Sequence, residues 1–114
     1  MSDMLDALRN AGNDVDGAVA RFMGNEAMYT KFLGKLADDD SFDKLQAAFV
    51  DGDVKECFAA SHTLKGVLGN LGLTKLVKLN TPIVETARVG SMPQEADVEA
   101  FKAAYLQTLE ILKD

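Results

Sequence analysis

Apolar residues recur along this chain at the three- and four-residue spacing of helices, and no stretch alternates in the manner of a strand. A short first helix is expected over about Asp3 to Asn10, ending near Gly12. A second, capped by Asp14 or Asp16, runs through Val19 and Phe22 to Gly24. Asn25 caps a third, in which Met28, Phe32, Leu33 and Leu36 share a face. The run Asp38-Asp39-Asp40 interrupts the pattern and suits the positive N-terminal end of a fourth helix, with Phe42, Leu45, Ala48 and Phe49 on its apolar side. Asp51-Gly52-Asp53 is a turn, and a long helix follows from Val54 to about Leu71. The next helix begins after Gly72-Leu73-Thr74 and contains Pro82, where the missing backbone donor predicts a kink or a restart. Gly90 ends it. Ser91 with Gln94 three residues on resembles a capping box for the last helix, whose core side is Val98, Phe101, Tyr105, Leu109 and Leu112. Connections this short make successive helices antiparallel neighbours. The expected fold is all-α: an up-and-down antiparallel four-helix bundle with short additional N-terminal helices. Residues 1–114 read as one domain, the N-terminal helices over about 3–24 and the bundle over about 25–113.

Composition narrows the chemistry. A chain of 114 residues supports one modest core. Its net charge of −6 and pI near 4.7 argue against nucleic acid or an anionic membrane as partner, since either needs a basic face. Cys57 is the one cysteine, which excludes an internal disulfide and a cysteine metal cage. The acidic start Met1-Ser2-Asp3-Met4-Leu5-Asp6 lacks the basic and apolar regions of a signal peptide. No apolar run approaches the roughly 20 residues of a membrane span, so a cytoplasmic location is expected.

The segment Ser61 to Gly72 holds the one histidine, His62, together with Gly66, Gly69 and Gly72. A glycine inside a helix destabilises it by about 0.5–1 kcal/mol relative to alanine, so three of them need a reason. With His62 set to zero and about 100° per residue, Cys57, Ala60, Leu64, Val67, Leu68 and Leu71 fall opposite it as one apolar stripe. His62 therefore faces away from the core, and Lys55, Phe58, Ala59, Lys65, Gly66 and Gly69 lie within about 60° of it. Glycines at +4 and +7 leave the helix surface beside the imidazole bare, so that a partner's backbone or a bulky group can come close. A neutral imidazole nitrogen is a competent nucleophile. The ammonium of Lys65, one turn on, can offset the negative charge of a phosphoryl group placed there. Phe58, the one large apolar side chain on this face, suits a docking contact.

His62-Thr63-Leu64-Lys65-Gly66, followed by Gly69-Asn70-Leu71-Gly72, resembles the motif of histidine phosphotransfer (HPt) domains, the carriers of multistep two-component phosphorelays. The likeness extends to Asp14-Val15-Asp16, to Ala20-Arg21-Phe22-Met23-Gly24-Asn25-Glu26 with Tyr29 and Phe32, and to Asp51-Gly52-Asp53 at the entry to the histidine helix. The chain departs from the family at Val67-Leu68, where small residues are frequent, and at Pro82, in a helix the family usually runs unbroken. The resemblance implies a bundle whose histidine takes a phosphoryl group from the phospho-aspartate of one receiver domain and passes it to another. It casts His62 as phosphoacceptor, Lys65 as electrostatic helper, and Gly66 and Gly69 as the close-approach surface; Phe58, Ala59 and Lys55, on the same face, complete the expected docking surface. It also implies no kinase or phosphatase activity and no cofactor of its own, Mg²⁺ being supplied by the receiver. The expected partners are response-regulator receivers and a hybrid sensor histidine kinase, met by a monomer. Met1 and the length favour a free-standing carrier. The absence of a Gly-x-x-x-x-Gly-Lys-Ser/Thr loop to hold ATP agrees, and Gly66-x-x-Gly69-x-x-Gly72 is a poor phosphate cradle, with no strand before it and the leucine stripe running through it. Two other readings compete: a helical interaction module that binds a receiver or kinase without being phosphorylated, and a metal or catalytic site combining His62 with Asp38, Asp39 and Asp40. Three consecutive aspartates point in different directions around a helix, and there is no second histidine, so a solvated cap is the better account of them.

Overall fold

A computed structural model of the chain describes residues 2–113. Among these described residues seven α-helices follow one another: α1 (Ser2–Asn10), α2 (Val15–Arg21), α3 (Glu26–Gly34), α4 (Ser41–Asp51), α5 (Val54–Asn70), α6 (Thr74–Arg88) and α7 (Glu95–Leu112). A 3-10 turn, Lys35–Asp38, joins α3 to α4, and the described residues contain no strand. Side-chain caps set three of the starts. The Asp14 carboxylate accepts from Gly17 N–H at 3.0 Å, Asn25 from Met28 N–H at 3.0 Å and Asp53 from Glu56 N–H at 3.1 Å. Asp14 is thus the cap of α2, while Asp16 pairs with Arg9 at 2.9 Å. Within the aspartate run, Asp39 accepts from Ser41 N–H at 2.8 Å and Asp40 pairs with Lys44 at 3.4 Å, so the run serves the entry to α4.

The fold is a helical bundle in which α5 packs on α4 and α6, and α7 packs on α6. Phe42 of α4 stacks on Tyr105 of α7, ring centroids 4.1 Å apart and planes 1° from parallel, and this pair ties the first bundle helix to the last. Leu64 and Leu68 of α5, Leu76 and Ile83 of α6, and Phe101 of α7 are fully buried between them. α1 lies against α7 and buries Leu5 and Leu8.

Several expectations change here. In α3 the inward line is Tyr29 and Leu33, continued by Leu36 in the 3-10 turn, whereas Met28 and Phe32 stand exposed. Tyr29 can be buried because its hydroxyl donates to the carbonyl of Leu71 at 2.7 Å, one of the oxygens left free at the end of α5. Pro82 does not restart its helix: α6 runs unbroken from Thr74 to Arg88. Pro82 and Lys78 both lie on the exposed side, so the Lys78 carbonyl that loses its usual donor is open to water, and the Thr81 hydroxyl donates to Val77 O at 2.8 Å one residue earlier. The Ser91–Gln94 capping box does not form. Ser91 N–H donates to Thr86 O and Gly90 N–H to Ala87 O, a closing turn for α6 with Gly90 at φ 85°. With Ser91 used to end α6, α7 starts at Glu95 after Gln94, whose side chain makes no capping bond.

Candidate functional site

α5 presents the face that the helical count anticipates. Cys57, Ala60, Leu64, Leu68 and Leu71 are buried and Val67 is half-buried, while His62 is exposed on the opposite side. Lys55, Ala59, Lys65, Gly66 and Gly69 are exposed with it, and Phe58 is half-buried. The Phe58 ring lies 5.4 Å from the imidazole, tilted by 38°. Among the described residues neither Lys55 nor Lys65 joins an ion pair, so both charges are available on this face. Burial, with Asp53 and Glu56 adding, pushes the Cys57 thiol up from its ordinary pKa, so the chain's other soft nucleophile stays protonated inside the stripe.

The backbone beneath the histidine is held from the neighbouring helix. Asn80 of α6, fully buried, donates from Nδ2 to the carbonyl of Ser61 at 2.9 Å. The Ser61 hydroxyl donates to Phe58 O at 3.3 Å, and the Thr63 hydroxyl to Ala59 O at 3.0 Å. Arg88, also from α6, places its guanidinium carbon 5.2 Å from the centre of the Phe58 ring and pairs with Glu85 at 3.5 Å. A notch of about 350 Å³ lined by Val54, Lys55, Phe58, Ala87, Arg88 and Gly90 opens beside them. Neither Asn80 nor Arg88 was among the expected site residues. Both reach α5 through tertiary packing, and no spacing along the chain carries that information.

The three glycines divide into two kinds. A Cβ added at Gly66 or Gly69 would meet nothing within 4 Å, so these positions are bare surface. Gly72 has φ +69°, and a Cβ there would lie 2.5 Å from Asp14 O and 2.7 Å from Ala18 Cβ. It closes α5: Leu73 N–H donates to Leu68 O at 3.0 Å and Gly72 N–H to Gly69 O at 3.1 Å. Gly72 therefore answers to backbone conformation and to close packing of α2, not to access. Among the described residues, no cluster of three His, Cys, Asp or Glu side chains is grouped to hold a metal ion, and no helix is long and apolar enough to cross a membrane.

Fold and site together define a class: a small all-helical bundle that turns its one histidine to solvent from a helix face stripped of large side chains and edged with cations. A match to the Hpt domain family covers residues 27–112, three quarters of the chain, from the second residue of α3 to the end of α7, with α1 and α2 ahead of it. The chain belongs to the Hpt domain family. Hpt domains are phosphocarriers of two-component phosphorelays, working with receiver domains and kinases rather than as enzymes in the ordinary sense. No curated protein and no solved structure matches the chain.

Proposed function

We propose that this protein relays a phosphoryl group between receiver-domain aspartates through His62. The observation that carries the proposal is the placement of the chain's one histidine, exposed on the glycine-bared, lysine-edged face of α5. In the forward step an imidazole nitrogen attacks the phosphorus of the donor's acyl phosphate. The N–P bond forms, the P–O bond to the aspartate breaks, and the aspartate leaves as carboxylate. A second receiver's aspartate reverses the step and regenerates the imidazole. Lys65 sits one turn from His62 and offsets phosphoryl charge in the transition state and in the phosphohistidine. Phe58, Ala59, Gly66, Gly69 and Lys55 form the surface on which the receiver lies, the glycines permitting its loops to approach the imidazole. Mg²⁺ belongs to the receiver's aspartate site, where carboxylates suit a hard cation, and this chain needs no cofactor of its own. A hybrid sensor histidine kinase stands upstream, and the carrier acts as a monomer.

The test is incubation of the protein with phosphorylated receiver domains. Acid-labile label should accumulate on the parent chain and vanish in His62→Gln, with helical circular dichroism unchanged because the imidazole lies outside the core. Full labelling of His62→Gln would overturn the assignment. Receiver binding without any label on the parent would return the protein to the class of non-phosphorylated interaction modules.

A further inference from the structure

The helices ahead of the family match are bonded to the end of the histidine helix. Asp14 N–H donates to Gly72 O at 2.9 Å and to Thr74 Oγ1 at 3.0 Å, and Lys75 N–H donates to Asn13 Oδ1 at 3.3 Å. From the last turn of α2, Arg21 donates through Nη2 to Gly69 O at 2.9 Å and to Asn70 O at 3.2 Å. Asn70 O is one of the carbonyls left free at the end of α5, and Gly69 O, which also accepts from Gly72 N–H, offers Arg21 its second lone pair. A guanidinium has five donor hydrogens in a planar fork, and these bonds engage one nitrogen. Among the described residues Arg21 joins no ion pair, and it is exposed. It is thus a fixed cation with donors to spare. A groove of about 210 Å³ lined by Asp14, Arg21, Gly69, Gly72, Thr74 and Val77 opens beside it.

Its position gives it a use. Gly69 lies about 20° from the direction of His62 and about 10 Å along the helix, so Arg21 stands where the bare strip ends. The chain as a whole is acidic, at −6, yet the one acid in α5 is Glu56, about 120° away from His62. Lys55, Lys65 and Arg21 therefore edge the strip with positive charge and with no acid of α5 among them. A partner that carries its phosphoryl group on a carboxylate beside a Mg²⁺ site has an acidic rim, because the ion is held by carboxylates. The fork of an arginine matches a carboxylate in a way a lysine does not.

We propose that Arg21 is a specificity-determining docking residue: with two bonds fixing it to the end of α5, it receives an acidic side chain from the rim of the receiver and so selects among receivers. α1 and α2 then serve recognition as well as packing. This inference rests on the proposed relay through His62.

The experiment takes the receiver that phosphorylates the parent chain fastest and measures initial transfer rate against receiver concentration for Arg21→Glu, Arg21→Gln and Arg21→Lys. Labelling by phosphoramidate, which needs no docking surface, is measured in parallel. Arg21→Glu should raise the half-saturating receiver concentration by about tenfold or more, the loss expected of one charge-assisted contact. Arg21→Gln, which can still donate to the Gly69 carbonyl, should show a smaller rise, and Arg21→Lys the smallest. Added salt should narrow the gap between the parent and Arg21→Glu. The ratio of receiver transfer to phosphoramidate labelling should fall in that order at subsaturating receiver. An unchanged half-saturating concentration in Arg21→Glu and Arg21→Gln overturns the proposal. A matched fall in receiver transfer and phosphoramidate labelling overturns it as well, since it marks Arg21 as a prop for α5 alone. Failure of every receiver to label the parent overturns the relay itself, and this inference with it.

Discussion

At Gly69 the histidine helix forgoes the stability an alanine would bring, and the space left open lies beside the imidazole. Nothing within 4 Å would meet a Cβ there, and the backbone is helical, so Gly69→Ala should stabilise the isolated protein by about 0.4–1 kcal/mol. Gly72→Ala should do the reverse. Its backbone is left-handed and its missing Cβ makes room for Asp14 O and Ala18 Cβ, so a loss of at least about 1–2 kcal/mol is expected. Urea midpoints of the two variants should move in opposite directions; a shared direction would mean that Gly66, Gly69 and Gly72 serve one purpose after all. The glycine spacing and the direction of His62 were legible because both depend on one helix's period. What one helix cannot announce is who comes from the next. Arg88 over Phe58, Asn80 on the Ser61 carbonyl and Arg21 on the Gly69 carbonyl each lie between 19 and 48 positions from the residue they touch, so only the packing of the helices brings them together.

Between residues and bundle, the helix ends decide more than the helix middles. Among the described residues, five of the turns close with the same pair of backbone bonds, and four of them put a glycine in the left-handed position: Gly12, Gly52, Gly72 and Gly90. The fifth, after α2, puts Met23 there, at φ 58°. Gly24 N–H donates to Val19 O at 2.9 Å and Met23 N–H to Ala20 O at 3.0 Å, so the bonds form despite the side chain. Met23 is 94% exposed and contributes almost no burial to offset the strain. Met23→Gly should therefore raise stability by about 0.5–1 kcal/mol, and a thermal melt showing a drop would mean that the methionine has a packing role the folded chain hides. Element order and most boundaries followed from periodicity, the exceptions being set at these ends. Ser91 looked like the start of α7 but was used to finish α6. Tyr29 takes the inward place expected of Met28 and Phe32 because its hydroxyl finds Leu71 O inside.

Across the whole molecule, the same two tyrosines mark the two seams that hold the bundle closed. Tyr29 joins the N-terminal layer to the end of α5, and Tyr105 joins α7 to α4 through its stack on Phe42. Burial pushes both phenols up to about 12; Arg21 offsets part of this at Tyr29, while Asp39 and Asp43 add to it at Tyr105. A phenol in the unfolded chain ionises near pH 10, so between about pH 10 and 12 the folded protein holds more protons than the unfolded one. Stability is therefore full below about pH 10 and falls as pH rises toward 12, by an amount of order 2 kcal/mol for each tyrosine. Two such losses are a large share of the 5–15 kcal/mol typical of a domain, so the urea midpoint should drop steeply in this window while staying level from pH 8 to 9.5. Replacing either tyrosine by phenylalanine removes an ionisable group from the folded and unfolded chains alike, and should flatten the alkaline slope by about half. Tyr29→Phe should also lower the neutral-pH midpoint, because it leaves Leu71 O without its donor, at a cost of about 1 kcal/mol. Tyr105→Phe should not, since its hydroxyl has no protein partner among the described residues. Equal alkaline slopes in the parent and both variants would show that neither seam titrates, and the burial account of their phenols would fail.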